Sequence, residues 1–101
     1  MSLAVVTFHR LAAQEFRKAR SWYGRRRRAA AVRFIQALDR ALQQVAEAPE
    51  SWPLYDERHR WVKIKKFPYL LIYRVVAEGR VTIVAVADAR RRPGYWRKRS
   101  V

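Results

Sequence analysis

Hydrophobic residues change their spacing along the chain, and each change predicts a different element. Residues 3–8 form a short β-branched run, which predicts a first strand. Apolar residues then recur every three or four positions in two stretches separated by Gly24, as in amphipathic helices. We expect the first helix to end at Gly24, which offers a C-cap, and the second to run over residues 30–48, just before Pro49.

Three more strands are predicted in the second half of the chain. Residues 61–66 alternate, which places Trp61, Lys63 and Lys65 on one side. Residues 69–76 and 80–87 are strongly apolar and are joined by Glu78-Gly79, a sequence typical of a hairpin turn.

The order of these elements predicts one α+β domain over residues 1–101. Two helices with so short a break form an antiparallel hairpin, whose apolar stripe can cover one face of a sheet. The expected architecture is β-α-α-β-β-β, with the helical hairpin packed on one face of a small, mainly antiparallel four-stranded sheet.

The last two predicted strands are apolar at both parities, over residues 69–76 and 81–86. A sheet covered by helices on one face only would not need this pattern. A second layer is therefore required on the opposite face. It is supplied by the C-terminal residues, by a second copy, or by a partner chain lying in a groove.

The net charge of the chain indicates which kind of partner it binds. The 101-residue chain has 23 Lys and Arg against 8 Asp and Glu, a net charge of +15, which predicts a polyanionic partner. No apolar run reaches the ~20 residues that span a bilayer, and no signal peptide precedes the first strand, so we expect a cytoplasmic protein without a membrane partner.

Standard catalytic and cofactor motifs are missing. The chain has no cysteine, its two histidines are far apart, and its three glycines are isolated. These facts exclude a Cys-ligated zinc site and argue against any metal, cofactor or phosphate-binding loop. Cations and aromatics remain as the candidate chemistry, and the candidate partner-binding residues are Lys63, Lys65, Arg74, Arg90, Arg91, Arg92, Tyr95 and Trp96.

Four segments in order resemble the RelE/ParE superfamily of toxins from bacterial type II toxin–antitoxin modules. The resemblance rests on Ala12/Glu15/Phe16/Ala19/Trp22-Tyr23, Phe34/Ala41-Leu42/Pro49, residues 67–75 and residues 85–96. It implies a growth-arresting toxin neutralised by an acidic antitoxin, as a dimer or a toxin–antitoxin hetero-oligomer. We expect the antitoxin in a groove on the second sheet face, flanked by Lys63, Lys65, Arg74 and residues 90–92.

Two branches of the superfamily imply different activities. In the RelE-like branch, a ribosome-dependent mRNA endoribonuclease, the catalytic residues would be Lys63, Lys65, Arg91 and Tyr95. The cation that this branch carries early in the third strand is replaced here by Leu70. The Phe67-Pro68-Tyr69 link and the ending Arg92-Pro-Gly-Tyr-Trp96 look more like the ParE branch, whose studied members inhibit DNA gyrase.

The sequence therefore favours a ParE-like gyrase inhibitor that needs no catalytic residues. The ribonuclease stays as the alternative. A plain basic nucleic-acid-binding module, supported only by the net charge, is the second alternative.

Overall fold

The computed structural model describes residues 2–101 and confirms the predicted order of elements. It contains β1 (Val5–Phe8), α1 (Arg10–Arg26), α2 (Arg28–Glu47), β2 (Arg60–Lys63), β3 (Tyr69–Ala77) and β4 (Arg80–Asp88). The sheet has the strand order β1-β4-β3-β2. β1 runs parallel to β4, whereas the β4-β3 and β3-β2 pairs are antiparallel, so the sheet is mixed and mainly antiparallel.

The two helices are joined more tightly than the sequence suggests. His9 caps α1 by accepting a hydrogen bond from the Leu11 N–H at 3.0 Å, and the helix continues past Gly24 to Arg26. The predicted C-cap at Gly24 is therefore wrong. Gly24 lies inside the helix, where an added Cβ would stand 3.7 Å from the Ala31 Cβ, so a small residue suits the close approach of the two helices.

The helical hairpin covers the first face of the sheet. Apolar residues of α1 and α2 meet alternate residues of β3 and β4, and the fully buried centre of this layer contains Phe34, Leu71 and Ile83. Phe34 also joins an aromatic cluster with Tyr23 and Phe67, whose ring centroids lie 5.3 and 5.2 Å away. Tyr23 is half-buried and packs against this core, as its place on the helical stripe implies.

β2 is shorter than predicted. It ends at Lys63, and the chain then turns through Lys66, which has a positive φ of 72°. Lys65 lies in this turn and not on the strand, so the alternation predicted for residues 61–66 does not extend to Lys65.

A β-bulge explains why β4 is apolar at both parities. The register steps from Ile72 opposite Ala85 to Tyr73 opposite Ile83, which leaves Val84 as the extra residue. Val84 and Ala85 consequently both belong to the core of the second face, where Trp96 covers them.

The C-terminal segment, residues 89–101, thus supplies the second layer that the sequence demands. Ile72 and Val84 are 0% exposed beneath it. The prediction of an open apolar groove on this face is wrong, because Trp96 of the same chain covers the face.

Candidate interaction surface

Glu15 holds the C-terminal segment against α1 and the edge of β4. Its carboxylate accepts hydrogen bonds from the Tyr95 hydroxyl at 2.6 Å, from both terminal nitrogens of Arg99 at 2.9 Å, and from the Val86 N–H at 3.1 Å. Arg99 also donates to the Val84 carbonyl at 3.0 Å. The side chains of Glu15 and Arg99 are only 14% and 12% exposed. We call Glu15, Tyr95 and Arg99, with Arg91 at 3.8 Å, the Glu15 cluster.

These contacts fix the protonation state of Tyr95. Burial raises the pKa of its phenol, and donation of the hydroxyl proton to Glu15 raises that pKa further. The Arg91 guanidinium lies 3.8 Å from the centre of the Tyr95 ring. Tyr95 is thus a neutral hydrogen-bond donor, and its environment opposes a role as a general base.

The end of β4 has no neighbouring strand on one side because β1 is short. β1 pairs with β4 only as far as Ile83, so the next residues of β4 face the first half of α1. A groove of about 290 Å³ lies there, named here the α1–β4 groove. It is lined by Glu15, Lys18, Ala19, Trp22, Tyr69, Val86, Asp88, Arg90, Arg91 and Tyr95.

An aromatic side chain and several cations border the groove. Trp22 is 39% exposed, and the Arg26 guanidinium lies 3.8 Å from the centre of its ring. Arg90 donates two hydrogen bonds of 2.9 Å to Asp88, and this contact lowers the pKa of the Asp88 carboxyl. Asp88 therefore neutralises Arg90 in part. Lys18 makes no ion pair in residues 2–101, and Arg91 contacts at 3.8 Å a Glu15 carboxylate that Arg99 already binds, so both cations can attract an acidic ligand.

The lysines proposed for ribonuclease chemistry lie elsewhere. Lys63 is on β2, at the opposite edge of the sheet from β1. Its ammonium group donates to the carbonyls of Ile64 and Phe67 and so supports the turn that follows β2. Lys65 is exposed in that turn. The structure brings Arg91 and Tyr95 together but does not add either lysine to their groove.

The second sheet face ends in a network around His59. The His59 ring is 4% exposed, and its Nδ1 lies 2.9 and 3.0 Å from the Asp56 carboxylate oxygens. Trp96 packs on this ring with a centroid distance of 4.6 Å. Arg97 donates to Asp56 at 3.1 Å. Partial burial raises the pKa of Asp56, but the hydrogen bonds from the Arg58 and His59 N–H groups, the His59 ring and Arg97 together lower it well below its ordinary value.

Comparison with known proteins places this geometry in a family. Residues 6–93 match the family described as the ParE toxin of the type II toxin–antitoxin system parDE. The chain belongs to the ParE toxin family. No curated protein matches it at a significant level of sequence similarity.

A solved structure confirms the ParE-like fold. The protein described as the chromosomal ParDE toxin–antitoxin system from P. aeruginosa is similar to this chain with a TM-score of 0.65 and 21% identity. The similarity covers 87% of this chain and 98% of the other one. The family match over residues 6–93, with this shared fold, confirms the resemblance to the RelE/ParE superfamily, and the ParE branch is the one that matches.

Within this ParE family member, the predicted partner-binding residues lie in four different places. Arg90, Arg91 and Tyr95 line the α1–β4 groove, and Arg92 follows them as an exposed residue. Lys63 and Lys65 lie at the β2 edge. Trp96 is 2% exposed, so it supports the second face and is not available for direct contact. Arg74 lies half-buried on β3, beside a separate cavity and not among the residues that line the groove.

Sequence reasoning missed Glu15 and His59 as organising residues. Glu15 is the only carboxylate on α1, and a single acidic residue in so basic a helix was a usable signal. His59 and Asp56 carried no comparable signal, because their pairing depends on the fold of the loop before β2. Among residues 2–101 there is no group of three His, Cys, Asp or Glu side chains that could hold a metal, and no helix long and apolar enough to cross a membrane.

Proposed function

We propose that this ParE toxin family member arrests growth by inhibiting DNA gyrase through a non-catalytic binding surface, and that an acidic antitoxin neutralises it. Family membership over residues 6–93 carries the proposal. The separation of Lys63 from Tyr95 supports it, because metal-free RNA cleavage needs a base and phosphate-binding cations in one site. Here the phenol of Tyr95 is bound to Glu15, and the ammonium of Lys63 is bound to backbone carbonyls.

Induced expression in a bacterium tests the target. We expect growth arrest with a DNA-damage response and gyrase-dependent DNA breaks, and we expect purified gyrase to lose supercoiling activity when the protein is added. A strain with intact DNA and cleaved mRNA would instead support the ribonuclease alternative and refute the proposal.

A substitution of Tyr95 separates the gyrase inhibitor from the ribonuclease further. Tyr95→Phe removes the hydroxyl but keeps the ring under Arg91. For a ribonuclease that uses this hydroxyl, the cleavage rate would fall by ~10²–10³. For a gyrase inhibitor we expect toxicity to persist, provided that the variant stays folded by circular dichroism.

The α1–β4 groove is the proposed site of the antitoxin. It combines cations at Lys18 and Arg91 with an exposed aromatic surface at Trp22. An acidic chain with a few apolar side chains would pair its carboxylates with the cations and bury the aromatic ring. This site replaces the second sheet face, which Trp96 already covers.

Charge-removing variants test the groove. Lys18→Gln with Arg91→Gln should weaken binding of the cognate antitoxin at least ~10-fold, because each lost cation leaves a carboxylate partly desolvated and unpaired. Arg33→Gln with Arg40→Gln removes the same charge from exposed positions of α2 and is the matched control. Equal affinity losses for both double variants would show that net charge, and not the groove, determines binding.

A further inference from the structure

A second cationic cavity lies beside the network around His59. Arg99 lines it and also binds Glu15, which lines the α1–β4 groove, so this pair links the two sites. It has a volume of about 470 Å³ and is open to solvent. The residues that line it are Arg58, His59, Arg74, Arg97, Lys98, Arg99, Ser100 and Val101. We call it the His59 cavity.

Much of its positive charge is uncompensated within the described chain. Arg99 is paired with Glu15, and Arg97 is paired with Asp56. Arg58, Arg74 and Lys98 make no ion pair anywhere in residues 2–101. Three cations without an ion pair thus line one open cavity whose lining residues include no Asp or Glu, and their combined positive potential favours an anion there.

His59 is a fixed polar group in the wall of this cavity. Both polar contacts of its ring are made through Nδ1, to Asp56. No buried side-chain nitrogen or oxygen in the described residues lacks a hydrogen-bond partner, so Nε2 is reached by solvent. Packing against Trp96 and the bonds to Asp56 fix the ring, so that Nε2 has a defined direction.

Arg97 is also held in place. Its Nε donates to Asp56 at 3.1 Å, and its guanidinium lies over Gly94, where an added Cβ would come within 2.5 Å of a terminal nitrogen. Gly94 has a positive φ of 77°, so the turn and the position of Arg97 depend on the same glycine. A planar guanidinium held in this way presents its remaining N–H groups to an oxyanion with a smaller loss of rotamer entropy on binding than an unrestrained side chain.

We propose that the His59 cavity binds a phosphoryl group. Arg58, Arg74 and Lys98 supply the charge, and Arg97 supplies oriented donors around the phosphate oxygens. His59 directs Nδ1–H to Asp56 and shapes the wall of the cavity without donating to the phosphate. The group is either a free or terminal phosphate or a phosphodiester of a single strand, and the chemistry of recognition is shared by these sources. The site shares no lining residue with the α1–β4 groove, although Arg99 and Glu15 connect the two, and it does not depend on the proposed target of the toxin.

Titration of the full chain with inorganic pyrophosphate, followed by ¹H-¹⁵N NMR at constant ionic strength, tests the site. We expect saturable shifts at the amides of residues 58–59 and 97–99. Arg74→Gln with Lys98→Gln should weaken this binding by roughly tenfold or more, the effect of losing charge-assisted hydrogen bonds. Arg33→Gln with Arg40→Gln, the equal-charge control on α2, should leave it unchanged.

Short single-stranded DNA with and without a 5′-phosphate distinguishes the sources. Saturable shifts at the same amides only with the 5′-phosphate would identify a terminal phosphate as the ligand, and equal shifts with both would identify the backbone phosphodiester. Absence of saturable shifts there, shifts centred on residues 25–28, or equal weakening by the two double variants would overturn the proposal.

Discussion

At the scale of single residues, a few carboxylates organise a very basic protein. Glu15 accepts hydrogen bonds from β4 and from Tyr95 and Arg99 of the C-terminal segment. Asp56 accepts hydrogen bonds from the His59 N–H and from Arg97, and so joins the loop before β2 to the C-terminal segment. With 8 acidic residues against 23 basic ones, each buried carboxylate has several candidate donors. Loss of one carboxylate leaves several donors unpaired, which is more costly than loss of any single donor.

We expect Glu15→Ala to lower the free energy of unfolding by about 3–5 kcal/mol, because it leaves the buried guanidinium of Arg99 without its carboxylate. Glu47→Ala at the exposed end of α2 is the control. Urea denaturation followed by tryptophan fluorescence measures both. A loss for Glu15→Ala no greater than for Glu47→Ala would show that the Glu15 cluster contributes little to stability.

Asp56 makes the stability of the folded protein depend on pH in the acid range. Its pKa lies well below the ordinary value of 3.8, so its contribution to stability is complete above that value and is lost as the pH falls towards the folded-state pKa. Wild-type stability should therefore decrease below about pH 4. Asp56→Asn should be less stable at neutral pH and should lose part of this decrease.

Urea denaturation at a series of pH values from neutral to acid measures this difference. Asp39→Asn changes an exposed carboxyl of α2 that makes no ion pair in the described residues, and it should reproduce the wild-type slope. An Asp56→Asn curve parallel to the wild type across the acid range would contradict the assignment.

At the scale of elements, periodicity predicted the fold because each helix and strand has one dominant apolar stripe or run. The stripe of Phe34, Leu38, Ala41 and Val45 is buried as α2 requires. Local turn chemistry was less reliable. Gly24 was assigned as a helix end from its residue type, but its small size serves close packing between the helices.

The sequence predicts those parts of the candidate site whose residues are close together along the chain. Residues 90–96 lie near one another whatever the fold, and the structure brings Arg91 onto the Tyr95 ring, while their role in binding a partner stays a prediction. The contact of Tyr95 with Glu15 spans 80 positions of the chain and follows from the parallel pairing of β1 with β4, which no local pattern encodes. The two-sided apolar pattern did predict a second layer, and the three-dimensional structure decided among its candidate sources in favour of the C-terminal segment.

Two adjacent residues of β3 test this second layer. Leu71 faces the helices and Ile72 faces Trp96, and both are 0% exposed. We expect Leu71→Glu and Ile72→Glu each to unfold the protein, because an unpaired buried carboxylate costs several kcal/mol against a total stability of about 5–15 kcal/mol. Val76→Glu, at a position 42% exposed on the same strand, should stay folded.

Circular dichroism and size-exclusion chromatography measure the outcome. A folded, monomeric Ile72→Glu variant would mean that the C-terminal segment moves away from the second face at little cost. In that case the face would be available to a partner, as the sequence pattern alone had suggested.

At the scale of the whole molecule, the net charge of +15 is spread over several surfaces. Residues 25–28 lie at the helix junction, Lys18 and Arg91 border the α1–β4 groove, and Arg58 and Arg74 border the His59 cavity. Distant charges contribute mainly to the long-range field, which is screened within ~8 Å at physiological ionic strength. Only charges in contact with a partner affect the lifetime of the complex.

The association kinetics of the proposed antitoxin complex should separate these two contributions. We expect the association rate to fall steeply with added salt, whereas the dissociation rate changes little. Arg33→Gln with Arg40→Gln should reduce association modestly and leave dissociation unchanged, because these residues lie on the exposed face of α2. Lys18→Gln with Arg91→Gln should in addition raise the dissociation rate, since carboxylates of the partner lose their contacts in the groove. Surface plasmon resonance at several salt concentrations measures both rates.

Dissociation that is equally fast for the two double variants would place the contact surface outside the groove. Salt-independent association would show that the charge serves some purpose other than attracting an acidic partner.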